Sequence, residues 1–206
     1  MAKVTDIATL ETLYGTPGEA SIIKVADHIT SLYSKWITAS RLCVLSTIGP
    51  DGTDGSPRGD DGPVVRIADP KTLFMPDWRG NNRIDSLRNI VSDGRVSLMF
   101  MVQGSNNLIR VNGTAEVRVD ADLIAEFDDR GNPPRSVIVI SVTEVYSQCA
   151  RALMRAGTWS GADHSAIYRQ SVRCWQKLRP VLTARHMTRH GLRGPKKRYG
   201  ERDVMM

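Results

Sequence analysis

Long apolar runs are missing from this chain: its most hydrophobic stretches, Val96 to Val102 and Val137 to Val142, extend over about seven residues, against the roughly 20 that cross a bilayer. No membrane segment is expected. The N-terminus is amphipathic and lacks a continuous apolar core with a small-residue cleavage site, which points to a cytoplasmic protein. Cysteine is also scarce. Cys43, Cys149 and Cys174 lie far apart, form no Cys-x-x-Cys pair and leave an odd count, so neither a disulfide framework nor a zinc ribbon is supported. Of four histidines, His186 and His190 have a spacing that can ligate a metal, but no third ligand accompanies them and no metal site is expected. The motifs of several enzyme classes are absent: there is no Gly-x-Ser-x-Gly elbow, no His-Glu-x-x-His, no Walker loop and no Gly-x-Gly-x-x-Gly after a strand.

An excess of positive charge is present, and its distribution matters more than its size. The net charge is +6, yet residues 1–168 hold 17 Lys/Arg against 20 Asp/Glu, a net −3, while residues 169–206 hold 11 against 2, a net +9. The basic character therefore belongs to a tail. Lys196-Lys197-Arg198 would attract polyanions only through salt-sensitive electrostatics, and Tyr199 is its one nearby aromatic, so nucleic acid is not the expected partner. The chain divides into a domain over residues 1–165 and a basic C-terminal extension over 166–206, partly disordered because its Arg, Lys, Gly and Pro bury little apolar surface.

Within the domain the first forty residues read as helix. Thr16-Pro17-Gly18-Glu19 has the pattern of a capping box, and apolar residues follow at Ile22, Ile23, Ala26, Ile29 and Tyr33. Beyond Ser40 the pattern changes to short β-rich runs: 41–48, 64–68, 72–75, 95–102, 107–119 and 136–142. Turns at Gly49-Pro50-Asp51-Gly52, Asp69-Pro70, Gln103-Gly104-Ser105-Asn106 and Pro133-Pro134 separate them. Such short gaps suit antiparallel hairpins, and a closed barrel is the natural outcome. Helices are expected over 82–91, 121–127 and about 147–156.

Two segments have chemistry suited to a phosphate. Gly55-Ser56-Pro57-Arg58-Gly59-Asp60 combines a hydroxyl, a guanidinium and glycine amides that admit an anion to the backbone. The second, Pro76-Asp77-Trp78-Arg79-Gly80-Asn81-Asn82-Arg83-Ile84-Asp85-Ser86, runs from a loop into a helix N-terminus, where unpaired N–H groups and the macrodipole favour anions. Taken singly, the first reads equally as a polar turn with a surface arginine, and the second as a capped helix with an Asp85 salt bridge. Separated by one hairpin, the two are placed to close on a single phosphate group.

These same residues carry a family resemblance. Ser56-Pro57-Arg58-Gly59-Asp60, then Val65 to Asp77, then Gly80 to Ile90, then Leu108-Ile109-Arg110-Val111-Asn112-Gly113 resemble, in order and spacing, the pyridoxamine 5′-phosphate oxidase-like FMN-binding family. More narrowly they are similar to a bacterial subgroup of FMN-dependent proteins, and Cys149 to Arg155 with Trp159 extends the likeness, which covers roughly residues 20 to 160. The resemblance implies a mostly β fold with peripheral helices, an antiparallel split β-barrel known as the FMN-binding split barrel.

It further implies FMN as cofactor, with Ser56, Pro57 and Arg58 lining the flavin and its phosphate, the Met75-Pro76 backbone against the isoalloxazine edge, and Asn81 and Arg83 completing the phosphate cradle. The family's cofactor sits at the interface of a homodimer, so that Asn112 or Trp159 would reach it from the partner subunit. The implied function is an FMN-dependent oxidoreductase acting on a small molecule or electron acceptor; the alternative is a non-catalytic flavin- or haem-binding protein. Cys174 to Pro180 lacks the Arg- and His-rich substrate segment of true pyridoxamine phosphate oxidases, so the vitamin B6 reaction is not implied.

Overall fold

The computed structural model describes residues 3–128 and 131–161. Their elements run α1 (Ile7–Tyr14), α2 (Glu19–Ile23), α3 (Ser31–Ala39), β1 (Leu42–Gly49), β2 (Gly52–Gly59), β3 (Arg66–Asp69), β4 (Thr72–Asp77), α4 (Asp85–Ser92), β5 (Arg95–Met101), β6 (Leu108–Arg118), α5 (Ala121–Ala125), β7 (Ser136–Gln148) and α6 (Arg151–Ala156). The extension expected over 166–206 lies outside the described residues, as do His186 and His190.

All seven strands join one antiparallel sheet in the order β2-β1-β5-β6-β7-β4-β3. Period-two patterning drives it: along β5, Val96, Leu98 and Phe100 are buried while Ser97, Met99 and Met101 face the other side. The inward residues of β1, β4, β6 and β7, among them Leu45, Leu73, Met75, Val111, Ile138, Ile140 and Val145, meet them in one core. Each such side chain contributes roughly 1.5–3 kcal/mol by leaving water. The architecture is the antiparallel split barrel. Full closure, however, is not what forms: among the described residues the end strands β2 and β3 share no hydrogen-bonded ladder. β3 is only four residues long and its register against β4 shifts between Ile67 and Asp69, so it offers no regular edge for β2 to pair with.

The structure also revises the helices at the N-terminus. One helix through Tyr33 is replaced by α2 and α3, because Ala26 leaves helical geometry to exchange backbone hydrogen bonds with Val145 of β7, at 2.9 and 2.8 Å. The proposed box does not form; Gly18 is the N-cap of α2 and makes no side-chain cap. A fresh cap starts α3, where Thr30 Oγ1 accepts from the Tyr33 amide. α3 then buries Tyr33 and Ile37 on the core, and the Tyr33 hydroxyl donates to the Lys24 carbonyl at 2.5 Å. At the other end, β7 continues through Gln148, so the last helix starts at Arg151 rather than near Ser147.

β6 bends where its register against β7 shifts between Asn112 and Gly113. There the two backbones approach so closely that a Cβ on Gly113 would stand 2.0 Å from the Ser141 carbonyl oxygen. Gly113→Ala is expected to cost about 1–3 kcal/mol, as overpacking does. It should appear in urea unfolding as a lower midpoint at unchanged slope. Gly55→Ala, whose added Cβ meets open space, should stay within about 0.5 kcal/mol of wild type.

Candidate anion-binding cleft

The sheet's open edge is where the polar residues gather. Along β2 the alternation puts Asp54, Ser56 and Arg58 on one half-buried face and Gly55, Pro57 and Gly59 on the exposed one. Pro57 is tolerated because β2 is an edge strand that pairs only with β1. Across the gap, β4 ends at Pro76-Asp77, and Arg58 Nη1 makes an ion pair with the Asp77 carboxylate. Both side chains are largely enclosed, at 21% and 15% exposure.

The loop after β4 turns sharply before its helix. Asn82 takes a left-handed φ of 61°, and Asn81 Oδ1 accepts from the Arg83 amide at 2.9 Å. That turn is why α4 starts at Asp85, three residues later than the pattern predicts. Ile84, its N-cap, supplies no side-chain acceptor, which leaves the first-turn N–H groups without a cap. α4 is fastened to the sheet by Ser86 Oγ, which donates to Asp54 at 2.5 Å, and by Asn89 Nδ2, which donates to Thr47 Oγ1 at 3.0 Å.

Between β2, this loop and the start of β7 lies a cleft of about 200 Å³. Its lining includes Ser56, Pro57, Arg58, Trp78, Asn81, Asn82, Arg83 and Arg135. Arg135 arrives through β7: its amide donates to the Asp77 carbonyl at 3.0 Å, and its Nη1 donates to Asn82 Oδ1 at 3.1 Å. Three guanidinium groups thus face one carboxylate, Asp77, in the lining. Arg83 is also bonded to Asp85, at 2.5 Å, and that partner raises its pKa further above the ordinary range. Arg58 Nε is buried and has no hydrogen-bond partner among the described residues. A buried charged donor left in this state is costly, so Arg58 is held by Asp77 with one of its donors unmet.

Cys43 pairs with Arg58 in the β1–β2 register, but it is not a nucleophile for this cleft. Burial pushes its thiol up to about 12, and the Arg58 charge only partly opposes that shift.

Of the residues singled out in the sequence, Ser56, Pro57, Arg58, Asn81 and Arg83 line this one cleft. Met75 and Pro76 line an adjoining hollow of about 170 Å³ together with Pro57, Arg58 and Trp78. The Met75 side chain itself is 1% exposed and belongs to the core. Asn112 and Trp159 stand apart from the cleft of their own chain. The Asn112 amide is engaged with Ser97 and Glu144, at 2.8 and 2.7 Å, and Trp159 Nε1 donates to the Ser105 carbonyl at 2.8 Å. Sequence reasoning passed over Trp78, Asn82 and Arg135. The first two sat inside the quoted loop, whereas Arg135 is 52 positions from Arg83 and only the pairing of β4 with β7 brings it there.

Fold and cleft together define a class, the split barrel with an arginine-lined cleft at its open edge. A family model described as pyridoxamine 5′-phosphate oxidase matches residues 29–149, and the chain belongs to that family. Similar solved structures include HupZ of Group A Streptococcus, at 20% identity over 58% of this chain and 93% of that one, with a TM-score of 0.48. General Stress Protein 26 of Bacillus anthracis is similar at 20% identity over 55% and 88%, with a TM-score of 0.43. An FMN-binding protein of Syntrophomonas wolfei is similar at 10% identity over 69% and 96%, also at 0.43. No curated protein matches the chain.

Arg58→Ala would leave Asp77 unpaired in a largely enclosed position, with an expected loss of about 1–3 kcal/mol of stability. Adding Asp77→Asn to that variant should recover part of the loss. Urea unfolding of the two single variants and the double variant should give a coupling energy of about 1 kcal/mol, and additivity would show that the pair does not hold the gap.

Proposed function

We propose that this chain is an FMN-binding flavoprotein that works as an FMN-dependent oxidoreductase on a small molecule. The observation that carries the reading is the cleft itself, whose lining brings Arg58, Arg83 and Arg135 together with Ser56 and Asn81. These residues fit the phosphate of FMN. Arg58 and Arg83 supply charge-assisted donors, Ser56 a hydroxyl, Asn81 an amide, and Arg135 a third cation at the far wall. Bound FMN would supply the hydride and electron chemistry, leaving the protein to bind and orient it. This agrees with the lack of recognised catalytic motifs in the sequence.

The cleft of one chain is small for that task. About 200 Å³ is below the roughly 300–1,000 Å³ typical of ligand sites, so it suits the phosphate end better than a whole flavin. We infer that a second copy completes the site in a homodimer, with Asn112 of the partner subunit and Trp159 of the partner subunit as the reaching residues, and Pro57 and the Met75-Pro76 edge serving the flavin ring. Among the described residues no helix is long and apolar enough to cross a membrane, which is compatible with the cytoplasmic location we propose.

Titration with FMN, followed by flavin fluorescence, should show one FMN per chain. Arg58→Ala and Arg83→Ala should each weaken it by about 1.5–3 kcal/mol, the scale of a charge-assisted hydrogen bond. Wild-type affinity in both variants would remove the cradle. Turnover with reduced nicotinamide and a panel of acceptors separates the oxidoreductase from a non-catalytic flavin- or haem-binder, which would hold its cofactor without turning over.

A further inference from the structure

Trp78 has the phosphate cleft on one side and a larger hollow, of about 390 Å³, on another. The larger hollow falls within the roughly 300–1,000 Å³ of small-molecule sites. Its walls are mainly apolar: Val65 and Ile67 from the β3 segment, Pro76 at the end of β4, Phe127 after α5, and Trp78 itself. Two charged side chains share the lining, and they differ in what already occupies them.

Arg66 is committed. Its guanidinium lies over the rings of Phe74 and Phe127, 5.2 and 4.6 Å from their centroids, and it pairs with the Glu126 carboxylate. Asp60 has no such partner. One of its oxygens accepts from Trp78 Nε1 at 3.1 Å and the other from the Asp61 amide at 2.7 Å, so the carboxylate is held in place. Among the described residues it forms no ion pair with any lysine, arginine or histidine. The hollow therefore presents an oriented, half-buried negative charge next to aromatic surface, with its one cation already neutralised.

We propose that this hollow is a binding site for a small organic cation with an apolar body, its charge set against Asp60 and its body against Trp78, Phe127 and Pro76. The chemistry is that of ammonium recognition, in which a carboxylate supplies the charge and aromatic faces supply cation–π attraction and apolar contact. An anion is disfavoured because the fixed carboxylate would repel it. A neutral aromatic compound would gain the walls and leave Asp60 unused. The hollow shares Pro76 with the edge proposed for the flavin ring and Trp78 with the neighbouring cleft, so it is probed in the flavin-free chain, and it is the natural place for a substrate if that cleft holds the flavin phosphate.

The test is calorimetric titration of the full chain, free of flavin, with benzyltrimethylammonium, benzyl alcohol and benzoate. The cation should bind saturably, one per chain, about tenfold or more tighter than the alcohol, and benzoate should bind weakest. Asp60→Asn keeps an acceptor for the indole N–H while removing the charge, and should bring the cation down to the affinity of the alcohol. Thr38→Trp, a change at an exposed rim position on α3, should fill the hollow and abolish binding of both. Arg83→Ala, which alters only the phosphate cleft, should bind the cation as wild type does, so failure of the flavin reading would leave this result standing. The proposal is overturned if the cation does not saturate, if benzoate binds as well as the cation, or if either Asp60→Asn or Thr38→Trp binds the cation with wild-type affinity.

Discussion

Arg58 on β2 and Asp77 on β4 face each other across the interval that the sheet's hydrogen bonds do not bridge. On either side of it the chain has ordinary antiparallel ladders, from β2 through β1, β5, β6 and β7 to β4 and β3. An edge strand with free N–H and C=O groups is a liability, and a split sheet has two such edges. Here β2 is tied by one enclosed ion pair, rather than by main-chain bonds, to the end of β4 that lies beyond its pairing with β3. That choice leaves room for side chains between the strands, and the cleft and its neighbouring hollows all lie along this interval.

The same pair sets the electrostatics. Asp77 engages one terminal nitrogen of Arg58 while the buried Nε of that residue has no acceptor among the described residues, so the guanidinium is oriented without being fully satisfied. Arg83 and Arg135 flank it on an Asx-turned loop and at the entry to β7. Arg135 is held by the Asp77 carbonyl and Asn82, while the helix that follows Arg83 is fastened to β1 and β2 through Asn89 and Ser86. A mobile arginine would lose side-chain entropy on meeting an anion, whereas the enclosed Arg58 has part of that cost met during folding.

Trp78 connects the cleft with the hollow beyond it, and its N–H is anchored on Asp60. A single indole thereby forms part of the wall of a cationic cleft and of a hollow whose available charge is negative. The two hollows thus present opposite charges on either side of one indole.

Much of this was legible along the chain because it depends on local rules. Short β-rich runs at 95–102 and 107–119 mark strands, Gly and Pro mark turns, and the arginine-bearing segments around Ser56 and Asn81 carry their phosphate chemistry in their residue types. What could not be read depends on distant partners. The β2 strand reads as turn-like because it contains three glycines and a proline, and it is a strand only because β1 supplies a full ladder for it. Ala26 abandons a helical pattern because Val145, 119 positions later, offers two backbone hydrogen bonds. Arg135 joins the cleft through the pairing of β4 with β7, and Asp60 is oriented by the indole of Trp78, 18 positions later. Local sequence determined which groups could bind an anion, since donor type and spacing are written there. Tertiary structure alone decided which of them meet, and left the sheet open where they do, because long-range pairing rather than propensity sets strand order.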